Sequence, residues 1–79
     1  MKVKERVIKV VSDKLDLPAS VIKMNDDFTN DFELDSLDMA EIMLGIEEEF
    51  KVKVEDMDVS TIKTVEDLVK KMENIVKEG

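Results

Sequence analysis

Residues 35–50, "DSLDMAEIMLGIEEEF", decide the fold. At about 100° per residue, Met39, Ile42, Met43, Ile46 and Phe50 gather on one side of a helical wheel. Leu37, Ala40 and Leu44 gather on another side, beside Glu41, Glu47 and Glu48. Asp35 suits the N-cap, and Asp38 falls at N3, where a carboxylate reaches back as in a capping box and also favours the positive helix end. The spacing predicts a helix from Ser36 to Phe50 whose broad apolar side needs other helices to cover it.

Those partners are legible on either flank. Val3, Val7, Val10, Val11 and Leu15 recur at helical spacing and predict a first helix over 3–15. It should stop near Leu17, because Pro18 disfavours the helical conformation in the residue before it. Thr64 and Asp67 form a second capping-box-like pair that opens a last helix, with a stripe of Val65, Leu68, Val69, Met72, Ile75 and Val76. Residues 18–35 read as a long ordered loop pinned by Val21, Ile22, Phe28 and Phe32, and long ordered loops tend to be functional. The stretch "KVKVEDMDVSTI" reads as a linker with a short helical turn around 56–61. The expected fold is all-α: a small four-helix bundle of three longer helices and one short helix, forming one domain over residues 1–79.

Composition narrows the chemistry. The 79 residues include no cysteine, histidine, tryptophan or tyrosine, which removes disulfides, thiolate nucleophiles, the usual general base and the commonest transition-metal ligand. No loop has the spaced acidic ligands of a calcium-binding helix–loop–helix, so no metal site is expected. Catalysis by this chain alone is not expected. No apolar run reaches the roughly 20 residues that span a bilayer. The charged start "MKVKERVIKV" lacks the apolar block of a signal peptide, so cytoplasmic residence is expected.

The net charge is −8, against nucleic-acid binding. It is concentrated: residues 31–58 carry eleven acids against Lys51 and Lys53, whereas residues 1–30 and 59–79 nearly balance. The strip of Leu37, Ala40 and Leu44 has a bland reading, scattered surface hydrophobes. Clustered charge favours the other, a docking face that meets a basic and apolar partner patch. No large apolar surface calls for an obligate oligomer, and a monomer is expected.

Ser36 lies inside this acidic segment and has three readings. It is an ordinary helix-start residue, a nucleophile, or a modification site. The nucleophile is the least supported, because there is no histidine and no G-x-S-x-G elbow. A modification site suits an exposed hydroxyl at a helix N-terminus, where backbone N–H groups and the dipole accommodate an attached phosphate.

The stretch "DSLDMAEIMLGIEEEF" resembles the central helix of acyl carrier proteins. "ERVIKVVSDKLDL" resembles the first helix of that family, "DDFTNDF" its loop before the serine, and "STIKTVEDLV" its third-to-fourth helix junction. The resemblance implies that Ser36 is esterified with 4′-phosphopantetheine from coenzyme A by a separate phosphopantetheinyl transferase. It implies a stand-alone carrier of growing fatty acyl chains, held as thioesters and delivered to fatty-acid-synthesis enzymes. Carriage for another pathway (polyketide, D-alanyl or specialised lipid assembly) is the alternative, and an unmodified acidic helical adaptor is a third. The partner-binding residues would be Asp35, Leu37, Asp38, Ala40, Glu41, Leu44, Glu47 and Glu48. Phe28, Ile42, Ile46, Ile62, Val65 and Leu68 are the candidates for lining an acyl chain; Met39 and Met43 read first as core filler and second as side chains that adapt to a variable occupant. The family usually shows Leu-Gly-Ala or Leu-Gly-Leu before Asp-Ser, whereas this chain has Phe32-Glu33-Leu34, and its frequent proline after the second helix is Glu55 here. Gly45, inside the second helix, has no explanation in the sequence.

Overall fold

The computed structural model describes residues 2–53 and 61–76. Three α-helices occupy them: α1 (Val3–Leu15), α2 (Ser36–Phe50) and α3 (Val65–Val76). No strand occurs among the described residues, and none of their helices is long and apolar enough to cross a membrane. The helix bounds agree with the sequence pattern. The expected turn around 56–61 falls almost wholly on residues 54–60, and Glu55 lies there too, outside the described residues.

Local chemistry explains where each helix stops. Asp16 closes α1 in the left-handed conformation, φ 57°, with its N–H donating to the Ser12 carbonyl. Leu17 N–H donates to the same carbonyl at 3.1 Å, and the Ser12 hydroxyl donates to the Leu17 carbonyl. Helix α2 ends in the same way at Lys51, φ 57°, whose N–H donates to the Glu47 carbonyl. Both caps place a residue with a side chain where glycine is usual.

The core is wholly apolar. Val7, Val10 and Val11 of α1 meet Ile42, Met43, Ile46 and Phe50 of α2 and Val65, Leu68, Val69 and Met72 of α3. No polar or charged side chain is buried among the described residues. Ile75 and Val76 complete the α3 stripe only in part: Ile75 is exposed and Val76 half-buried at the helix end. Met39 is half-buried rather than central.

The connection over 18–35 is ordered by backbone pairing. A single 3-10 turn, Ala19–Val21, follows extended Pro18. It turns Val21 outward, 50% exposed, and feeds extended Ile22 into the core. Val21 is therefore not one of the residues that pin the loop, a correction to the sequence expectation; Ile22 and Phe28 are buried, and Phe32 packs on Phe28 at 6.2 Å between ring centres. Asp27 and Thr64 form one antiparallel bridge. Around it, Phe28 N–H donates to the Lys63 carbonyl (2.8 Å), Val65 N–H to the Asp26 carbonyl (3.0 Å) and Glu66 N–H to the Met24 carbonyl (2.8 Å). The loop thus satisfies N–H groups that the first turn of α3 would otherwise leave without partners. Thr64 and Asp67 close the same helix end reciprocally, the Thr64 hydroxyl accepting from Asp67 N–H and the Asp67 carboxylate from Thr64 N–H. Backbone donors, first that of Lys63, hold the Asp67 carboxyl below its ordinary range.

Arg6 fastens α1 to the end of α2. Its Nε donates to the Glu49 carboxylate at 3.0 Å, its Nη2 to the Glu49 carbonyl, and its guanidinium stands 4.4 Å from the centre of the Phe50 ring. A cation here meets the negative end of the α2 dipole and the face of an aromatic ring together. The hydrogen bond from Arg6 is the main reason that the Glu49 carboxyl titrates below its ordinary range.

Gly45 now has a physical account. A Cβ placed on it would lie 2.8 Å from Val10 Cγ1 and 2.9 Å from Lys14 Cε. The lysine carbon can swing away, but the valine methyl is held in the core. Glycine at this position is what lets α1 approach α2 so closely. Alanine would gain about 1 kcal/mol of helix propensity and incur about 1–3 kcal/mol of overpacking. Gly45→Ala is therefore expected to lower the unfolding free energy by about 1 kcal/mol in urea denaturation, the reverse of its effect on an open helix face.

Candidate functional site

The start of α2 is built by a reciprocal pair. Asp35 has extended backbone, and its carboxylate accepts from Asp38 N–H at 2.9 Å; the Asp38 carboxylate accepts from Asp35 N–H at 3.2 Å. The Asp38 N–H bond is the largest reason that the Asp35 carboxyl lies below its ordinary value. Ser36 follows as the first helical residue, and it is exposed. The box fixes the backbone on both sides of the serine while leaving its side chain outside.

Ser36 stands on the rim of an open cleft of about 530 Å³, lined by Thr29, Leu34, Asp35, Ser36, Met39, Ala40, Ile62 and Lys63. One wall is the first turn of α2, and the opposite wall comes from the 18–35 loop and the segment just before α3. Leu34 is placed by its N–H donating to the Phe28 carbonyl at 3.0 Å. Thr29 is placed by a self-tied turn in which the Asp27 carboxylate accepts from Thr29 and Asn30 N–H groups, both at 2.8 Å. Leu34, Met39, Ala40 and Ile62 supply apolar surface, and Thr29 and Lys63 supply donors.

The expected docking residues share the outward side of α2. Leu37 is 74% and Leu44 57% exposed; Ala40, Asp38, Glu41 and Glu48 are exposed, and Glu47 is half-buried. The six acyl-lining candidates lie elsewhere. Phe28, Ile42, Ile46, Val65 and Leu68 are buried in the core, and among the six only Ile62 also lines the cleft. The sequence does not single out Thr29, Leu34 or Lys63. Their convergence on Ser36 depends on the register of the loop against residues 61–64, and the pairing of residues 28 and 63 leaves no periodic mark.

This geometry suits an attached phosphate-linked group. An exposed hydroxyl sits at a helix N-terminus, where N–H groups favour an anion, and opens onto a cleft with apolar walls. The chain has no imidazole to take the serine proton, and no group of three metal-binding side chains occurs among the described residues. The two nearest carboxylates are engaged with the backbone donors of their own box.

Comparison with known proteins agrees. The sequence pattern of the family described as phosphopantetheine attachment site matches residues 5–72. Similar proteins include the acyl carrier protein of Rickettsia massiliae (strain Mtu5), 38% identical over 69 residues that cover 87% of this chain and 80% of that protein. The acyl carrier protein of Nitratidesulfovibrio vulgaris (strain DSM 19637 / Miyazaki F) is 34% identical over 74 residues, covering 94% of this chain and 97% of that one. This chain belongs to the acyl carrier protein family. The cofactor of the family is 4′-phosphopantetheine, and the role is to carry acyl groups.

Within an acyl carrier protein, the departure at Glu33 acquires a meaning. Glu33 has φ 56°, a left-handed conformation that costs a residue with a Cβ about 1–2 kcal/mol. The backbone there has the shape that glycine adopts freely, although the residue is a glutamate. Glu33→Gly removes that strain at the cost of a more flexible unfolded chain, so it is expected to raise stability by about 0.5–1 kcal/mol, read as a higher urea midpoint at unchanged slope.

Proposed function

We propose that Ser36 is the residue to which 4′-phosphopantetheine is attached, and that the chain carries growing fatty acyl groups between the enzymes of fatty-acid synthesis. The observation that supports this best is the exposed Ser36 hydroxyl, held between the two members of a capping box at the mouth of a partly apolar cleft. When bound, the arm supplies the thiol that this cysteine-free chain lacks, and acyl groups ride on it as thioesters. The chain's own residues present, shield and dock; they catalyse nothing. The helix N-terminus eases the phosphate charge, and Asp35 and Asp38 hold the serine in place while marking it for the transferase. The transferase provides the base that the carrier does not have.

Leu37, Ala40 and Leu44 form the apolar centre of the docking face on α2, ringed by Asp35, Asp38, Glu41, Glu47 and Glu48. The apolar strip supplies affinity, and the charges orient the carrier on a basic partner surface and speed encounter. A monomer in the cytoplasm suits this role. For cargo, the core around Ile42, Ile46, Phe28, Val65 and Leu68 takes the acyl chain by way of Ile62, which belongs both to the core and to the cleft beside Ser36. Burying six to eight methylenes contributes about 5–6 kcal/mol before ordering costs.

Incubation with coenzyme A and a phosphopantetheinyl transferase is expected to raise the intact mass by one arm, and Ser36→Ala to abolish the gain. No gain in the parent chain, as for an unmodified adaptor, or a gain that survives Ser36→Ala, would sink the assignment. On the docking face, Glu41→Lys and Glu48→Lys are each expected to weaken binding to a fatty-acid-synthesis enzyme about three- to tenfold without lowering thermal stability. Unchanged affinity would count against that surface.

A further inference from the structure

We propose that Lys63 forms a phosphate subsite on the lip of the Ser36 cleft and holds the phosphodiester of the attached arm, a step that rests on Ser36 being the attachment point. Three observations converge on it. Lys63 and Ser36 line the same cleft, and Lys63 is the one basic residue among the described residues that line it. Its backbone is fixed from both sides: the carbonyl accepts from Phe28 N–H at 2.8 Å, and the N–H donates to the Asp67 carboxylate at 3.0 Å. The ammonium is not committed elsewhere among the described residues, whose ion pairs are Arg6–Glu49 and Lys70–Glu66.

An exposed lysine is ordinarily a solvated charge. Here the surroundings make it more. The adjacent segment, residues 31–58, is strongly acidic, and a diester added at Ser36 brings one more anion into it. Asp35 and Asp38 direct carboxylate oxygens at backbone N–H groups, and neither forms an ion pair with Lys63. Thr29, also on the cleft, adds a hydroxyl donor. A lysine acts on phosphate as a point charge on a flexible stem, so it tolerates an arm that swings.

The test compares loading in the parent chain, Lys63→Arg and Lys63→Thr, each loaded with coenzyme A and a transferase and checked by intact mass. Melting temperature and the 31P spectrum are then read for loaded protein in about 20 mM and about 500 mM salt, with unloaded protein as the melting reference. At low salt, loading is expected to raise the melting temperature of the parent and the arginine variant by about 1–4 °C more than that of the threonine variant. The 31P resonance should differ between parent and threonine variant, and high salt should bring both readouts together. Each variant is compared with its own unloaded form, so a less stable variant still reports. Full mass gain with equal loading effects and coincident 31P resonances at low salt would overturn the subsite and leave Ser36 standing. Absence of mass gain in every variant, with a known carrier loaded in parallel, would overturn both.

Discussion

The pairing of the 18–35 loop with the start of α3 is the constraint on which this structure depends. A connection of that length in a small helical protein carries many backbone donors and acceptors that need partners. Three of its groups find them on residues 63–66, through Phe28 N–H, the Asp26 carbonyl and the Met24 carbonyl. The exchange serves both sides, since it ties down the loop and completes the first turn of α3. It also puts Phe28 into the core and, through the bond from Leu34 N–H to the Phe28 carbonyl, fixes the approach to Asp35. The cleft beside Ser36 exists because this lattice holds its far wall in place.

The other half of the molecule is held by close contact rather than by pairing. Helix α1 comes so near α2 that only a glycine fits opposite Val10, and Arg6 closes the end of the contact with a carboxylate, a carbonyl and an aromatic ring. One consequence is a division within α2. Its end is anchored by α1, and its beginning, which carries Ser36, faces the loop and the cleft. Rigid support and an accessible serine are thereby found on one helix.

Much of this was legible in the residues. The bounds of α2 and α3 follow from their capping pairs, Asp35 with Asp38 and Thr64 with Asp67, because caps are local chemistry written within four residues. The core side of α2 follows from its period. Gly45 had no explanation because its reason lies across the helix interface, on Val10. Val21 departs from its expected place because apolar character does not reveal the direction in which a three-residue turn points a side chain. Thr29 and Lys63 are not legible in the sequence for a related reason: each is placed through its own backbone groups, which are indifferent to the side chain they carry. Glu33 is the informative case. A glutamate stands here in a backbone conformation that glycine adopts freely, so the surroundings of the loop, and not the residue's own preference, hold its path.

The interior without a single buried polar side chain among the described residues has one more consequence. Polar groups inside a protein act as keys, since each must find its own partner and so fixes the register of the parts around it. Here valine, isoleucine, leucine, methionine and phenylalanine meet only one another, and nothing but shape sets how they nest. To such an interior a hydrocarbon tail is chemically one more aliphatic side chain. An acyl chain entering this interior, as proposed, would be sorted by length and girth, because the buried side chains among the described residues offer no polar group with which to read a functional one.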